Sequence, residues 1–340
     1  MNRSNVSFLD LPNEILFYIL NKLNNIDVLY SLLDVDNQRL DMIVEDKTFT
    51  KNLNFVLTMS TDDIYSIGSM EGILRATDYP NLDQLKLFNF NNKIASHYFT
   101  DCLALLDGRL NQLNSFFVEI FHDNNQLSIV NNMNDLPNLK YFSLKHFCVT
   151  EEYDSKILSL LRRMSNLEEL TLYVMIQNRI KFLDGTQINN QILVHMTRFY
   201  KFIFYISTEI QLDHFVPYLS IDDIQQTFIN IGYDQVSCII SCYSDSVGCH
   251  VFSLPFMFDS LRSHIDYYDQ FLNDRKTHLP RLTTLTVNYD KLTIVTENFT
   301  RNATRLNCAN VKELIIDAGT LVHSKDFYVY FPLVTSFSFD

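Results

Sequence analysis

The sequence predicts an α/β protein: an N-terminal three-helix module followed by an irregular array of strand-and-helix repeats. Three observations carry this expectation. Apolar residues recur at helical spacing near the N-terminus, at Leu11, Ile15, Leu16, Ile19, Leu20 and Leu23. A phrase of the form (Pro/Ser)-Asn-Leu-x-x-Leu-x-Leu returns along the rest of the chain. The composition is core-forming: 47 % of residues are hydrophobic, with 27 Phe and 18 Tyr against only 7 Gly and 7 Pro. So few turn formers argue against a hairpin-rich barrel or a disordered chain.

The 340 residues fit one small module and one larger domain. The expected division is 1–54 for the helical module, 55–78 for a helical linker and 79–340 for the repeat domain, irregular about 208–279. Pro12 suits the first turn of a helix because it has no N–H to orphan, and Glu14 sits near the positive end of that helix dipole. On a helical wheel the six apolar positions cover about half the circumference. A face this broad needs its own domain on one side and another protein on the other. Phe17 projects on the polar side, between Asn13 and Asn21, and is either an exposed aromatic or a partner contact. Asn24 to Asp27 breaks the helix, with Asp27 able to cap the next. Val28, Leu29, Leu32 and Leu33 form a second stripe, Asp34 to Asn37 a turn, and Leu40, Ile43 and Val44 a third helix. Three helices this short enclose little core alone.

Leu11-Pro12-Asn13-Glu14-Ile15-Leu16, then Ile19-Leu20, Leu23 and Asp27-Val28-Leu29, resembles the F-box consensus: Leu-Pro-x-Glu-hydrophobic, an apolar pair and an Asp-led second helix. The resemblance covers roughly residues 8–54. It departs in the third helix, where F-boxes often carry a basic residue followed by an aromatic and this chain has Arg39-Leu40. The resemblance implies that Leu11, Pro12, Ile15, Leu16, Ile19 and Leu20 contact a Skp1-like linker protein, and through it a cullin. Phe17, Leu23, Val28 and Leu29 complete the expected linker-binding set. An interface of about 800 Å² per partner is expected, centred on Leu16 and Leu20. The competing reading is a plain amphipathic helical hairpin at the start of a solenoid.

The repeated phrase starts at Pro80, Asn111, Pro137, Ser165 and Thr197, and again at Pro280, Ala309 and Pro332. The intervals are 31, 26, 28 and 32 residues, then 29 and 23. Leu-x-x-Leu-x-Leu turns the chain into a strand with alternate side chains pointing inward, and helix-like segments such as 155–163 lie between copies. One strand and one helix cannot bury their own apolar faces, so neighbours must stack. The phrase is similar to leucine-rich repeats of the irregular, variable-length class. An ordinary α/β domain with Leu-rich strands is the alternative. The last ten residues end within a strand pattern without a polar capping repeat, and an open edge of that kind invites pairing.

Cys238, Cys242, Cys249 and His250 have a superficially metal-like spacing, but structural zinc sites use tighter pairs. Val236 to Cys242 alternates like a strand, so Cys238 and Cys242 read as core residues. No metal or cofactor is expected. No Gly-rich phosphate loop, nucleophile elbow or His-Glu-x-x-His occurs, and no two of the nine His lie within four residues of each other. The chain is therefore not expected to be an enzyme. Net charge is −13 and no more than two Lys or Arg are adjacent, which argues against nucleic acid. There is no long apolar run, and six scattered Cys do not form a disulfide framework. A soluble cytoplasmic or nuclear protein with no membrane contact is expected, with its two Asn-x-Thr sequons unglycosylated. Taken with the resemblance, the expectation is a substrate-receptor subunit of an SCF-type cullin ubiquitin ligase, with the repeat domain binding an unidentified target protein. The alternative is a leucine-rich-repeat-like protein-binding scaffold without a ligase link.

Overall fold

The computed structural model describes residues 8–32, 35, 37–57, 81–89, 112–120, 135–211, 220–242, 245–262, 268–319 and 325–339. It is a mixed α/β protein. The chain divides into two compact units: residues 1–148, 152–171 and 191–201 form one, and residues 149–151, 172–190 and 202–340 the other.

The first unit opens with a 3-10 turn, Phe8–Asp10, and four helices: α1 Asn13–Leu20, α2 Asn25–Leu32, α3 Gln38–Val44 and α4 Lys47–Thr50. The caps explain the boundaries. Asn24 rather than Asp27 starts α2: its side-chain oxygen accepts from the Ile26 N–H at 3.1 Å. Asp27 lies within the first turn, where it favours the dipole. Asn37 caps α3 by accepting from the N–H groups of Arg39 and Leu40. Asp46 caps α4, and the Thr48 hydroxyl and N–H hold its carboxyl below the usual carboxylate range. Leu16, Leu20, Val28, Leu29, Leu40, Ile43, Val44 and Phe49 form the core of this module.

Strand β1 (Asn52–Leu57) follows α4 directly. The expected helical linker therefore begins as a strand over residues 55–57, which pair in parallel with β2; its residues 58–78 lie outside the described ones. Helices α2 and α4 pack on β1. The Asn25 side chain ties them together, donating to the carbonyls of Thr48 (3.3 Å) and Asn52 (3.2 Å). Strands β2 (Gln84–Asn89), β3 (Ser115–Ile120) and β4 (Tyr141–Thr150) come next, each paired in parallel with the one before. All three lie on copies of the repeated phrase. Their inward residues Leu85, Leu87, Phe116, Val118, Phe142 and Leu144 are buried. The 155–163 segment forms a π-helical turn, Tyr153–Ile157, running into helix α5, Leu158–Leu161.

The second unit holds most of β5 (Glu169–Ile176) and β6 (Lys201–Gln211), then β7 (Val236–Cys242), β8 (Ser246–Ser253) and β9 (Ser260–Arg262). Its helices are α6 (Gly185–Gln191), α7 (Ile221–Ile229), α8 (Tyr268–Leu272), α9 (Tyr289–Val295), α10 (Asn302–Cys308) and α11 (Lys325–Tyr330), interleaved with β10 (Thr284–Asn288), β11 (Glu313–Ala318) and β12 (Ser336–Phe339). The strand orders are β1-β2-β3-β4-β5-β6-β8-β7 and β12-β11-β10-β9. Strands β9 to β12 are all parallel, whereas β8 is antiparallel to both β6 and β7. That hairpin occupies the stretch where the repeat period is lost. Tyr173 and Tyr205 stack at 4.4 Å and are fully buried under Phe252, Phe256, Phe258 and Phe271, forming a second aromatic core.

One hydrogen-bond pattern repeats at the start of the strands. A single carbonyl accepts two successive N–H groups from the next strand's first residues. The Lys51 carbonyl accepts from Asp83 and Gln84, that of Asp83 from Asn114 and Ser115, that of Asn114 from Lys140 and Tyr141. Lys140 and Glu168 continue the series, and the last donors are Tyr200 and Lys201. From Lys51 through Asp83, Asn114, Lys140 and Glu168 to Tyr200, the steps are 32, 31, 26, 28 and 32 residues. The same rung recurs at Asp259, Thr283 and Lys312, at steps of 24 and 29 residues, ending on Thr335 and Ser336. It adds two copies absent from the sequence reading, at β1 and β9.

Candidate functional site: the exposed face of the first helix

Helix α1 divides its broad apolar face between two environments. Leu16 and Leu20 are 0 % and 3 % exposed, facing the module core, whereas Ile15, Ile19 and Leu23 are 46 %, 38 % and 52 % exposed. Ile15 and Ile19 are four residues apart on the helix, and Leu23 continues their line through the turn that follows. Leu11 is half-buried and Pro12 exposed at the head of the same line. Tyr18 stands beside it with the Lys22 ammonium 5.2 Å from its ring centroid. Exposed Phe8 and Leu9 precede the helix. The result is a surface strip of large apolar side chains on a single short helix, the kind of patch that marks an interaction site.

The expected binding set thus splits. Leu11, Pro12, Ile15, Ile19 and Leu23 stand at or near the surface. Leu16, Leu20, Val28 and Leu29 are core residues and lie behind it. Leu16 and Leu20, expected at the centre of the interface, have almost no accessible surface to offer, whereas Ile15 and Ile19 do. Phe17 also differs. It is half-buried, with its ring 5.7 Å from that of Phe49 in α4, so it packs within the module. Helix α4 is four residues long, too short to show a periodicity; its readable signal was the Asp46-x-Thr48 cap.

Arg39, which sequence reasoning treated only as half of a departed motif, lies against the start of α1. Its Nε donates to Asn13 Oδ1 at 2.6 Å, Nη1 to the Leu9 carbonyl at 2.8 Å, and Nη2 to the Leu11 carbonyl.

The cysteine-rich stretch is arranged as strand pairs. Cys238 and Cys249 are buried with their sulfurs 3.7 Å apart, and the Cys249 thiol is pushed well above its ordinary value by the hydrogen bond to Cys238 and by burial. Cys242, expected in the core, is exposed where β7 runs out. His250 hydrogen-bonds the Tyr205 hydroxyl at 2.8 Å. Among the described residues no group of three or more His, Cys, Asp or Glu is placed to hold a metal ion, and no helix is long and apolar enough to cross a membrane. Compared with known proteins, the chain matches no family model, and no curated sequence matches it.

Proposed function

We propose that this chain is a substrate-receptor subunit of an SCF-type ubiquitin ligase, its N-terminal helices acting as an F-box that docks on a Skp1-like linker. The repeated strands would then form a leucine-rich-repeat-like domain that recognises a target protein. The observation that carries the docking reading is the division of α1: one helix seals its own module with Leu16 and Leu20 and leaves Ile15, Ile19 and Leu23 uncovered. Burying such a strip against a partner releases roughly 25 cal/mol per Å² of apolar surface, enough for the anchor residues of a stable interface. The recurring two-amide rung supports the repeat reading, since among the described residues it shows up at eight carbonyls with variable spacing between them.

The test is capture of a Skp1-like linker by the full chain. The double variant Ile15→Asp/Ile19→Asp should lose at least tenfold in affinity while its thermal midpoint stays nearer that of the wild type than a core substitution such as Leu16→Ala would leave it, because both side chains are partly exposed. Equal capture by the variant would sink the docking assignment. A well-folded wild type that captures no linker leaves only the scaffold reading, which rests on the rungs alone.

A further inference from the structure

We propose that Arg39 is a positioning residue for the docking strip, ordering the segment Leu9–Asn13 before any partner arrives. The inference rests on the reading of α1 as the docking helix. Pro12 precedes α1 without any side-chain cap, so the usual local device for fixing a helix start is missing. The 3-10 turn ahead of it buries none of its three residues, and its closing bond, Leu11 N–H to the Phe8 carbonyl, is long at 3.3 Å. A turn without apolar anchorage sits at the low end of local stability.

Arg39 supplies the anchorage from α3. Three of its donors reach two backbone carbonyls and one side-chain amide, on Leu9, Leu11 and Asn13. The guanidinium is a rigid planar fork, and a lysine ammonium on a flexible stem has no equivalent layout. Arg39 is itself fixed: its N–H donates to the Asn37 cap at 3.0 Å, and the next residue, Leu40, is in the core. The held carbonyls belong to Leu9 and Leu11, so their side chains are presented at set positions ahead of Ile15 and Ile19. Fixing them in advance removes an ordering cost from binding.

Arg39→Lys and Arg39→Met in the full chain separate positioning from general stabilisation. Linker affinity, measured well below the thermal midpoint of each variant, is expected to fall at least tenfold for both. Amide exchange should accelerate at Leu11, Ile15 and Leu16, which bond to the Phe8 and Pro12 carbonyls, while Ile43 and Val44 in α3 keep their protection. Linker affinity within twofold of the wild type for Arg39→Lys overturns the proposal. So does acceleration spread evenly over α1 and α3, which would make Arg39 a plain stabiliser. A wild type that captures no linker overturns the docking reading, and with it the role assigned to Arg39, whatever the exchange data show.

Discussion

Helices α1 and α7 are nearly the same length, eight and nine residues, yet they are started in opposite ways. Helix α7 caps itself. The Ser220 hydroxyl accepts from the Asp223 N–H at 3.1 Å, and the Asp223 carboxylate accepts from the Ser220 N–H at 3.0 Å. Its inward residues Ile224 and Phe228 are buried, and the Phe228 ring stacks on Phe204 at 5.1 Å. Helix α1 has no such device and depends on a residue 26 positions away, Arg39 reaching Asn13. The difference teaches where order comes from: α7 carries its start signal in four consecutive residues, whereas α1 is held only once α3 has formed.

The comparison can be broken in graded steps. Leu16→Ala should cost about 2–5 kcal/mol, the usual range for emptying a sealed core position, seen as a lower denaturation midpoint. Gly185→Ala probes α7 from outside. An added Cβ would lie 2.6 Å from the Phe228 nitrogen and the Thr227 carbonyl carbon and oxygen. Backbone cannot step aside as a side chain can, so a loss of about 1–3 kcal/mol is expected by chemical denaturation. Ser220→Ala removes half of the capping box and should cost about 1 kcal/mol, with fraying confined to the first turn of α7. Ile15→Ala should change stability by no more than about 0.5 kcal/mol, since the side chain stands in solvent. A large loss there would mean that the strip is internally covered.

Acidification separates the two starts by chemistry. The Asp223 carboxyl is held below its usual range by the Ser220 hydroxyl and then by the Ser220 N–H. Its folded value is lower than its unfolded one, so its contribution is complete above about pH 4 and is lost as pH falls through the folded value. The acceptors of Arg39 are two backbone carbonyls and an amide oxygen, which do not titrate in this window. Amide resonances at Ser220–Asp223 should therefore shift on acidification while the Arg39 Nε–H resonance persists.

Much of this architecture could be read from residues alone. The apolar steps of α1 and the third-helix residues Leu40, Ile43 and Val44 announced the module. Leu85, Leu87, Phe142 and Leu144 announced strands, because a repeated phrase constrains every copy to the same inward positions. What stayed hidden has physical causes. The division of α1 into a sealed and an open side depends on what the rest of the module covers, and helical spacing reports only that a wide face exists. The copy at β1 was hidden because Thr50, which ends a helix, stands at a position the other copies fill with Leu, Val or Phe. Strand β8 is buried along nearly its whole length, so it shows none of the alternation that marks a half-exposed strand. Arg39 was undervalued because hydrogen bonds to backbone carbonyls leave no pattern in a sequence.

Lys51 has a double employment. Its N–H closes the last turn of α4 by donating to the Lys47 carbonyl at 3.0 Å, and its own carbonyl begins the series of rungs. One residue thus belongs to a helix on one side and a strand on the other. No hinge intervenes between the helical module and β1, so the two behave as a bracket cut from one piece. Under the proposed docking, a partner on α1 would be joined to the first strands through continuous secondary structure and the packing of α2 and α4 on β1, not through a tether.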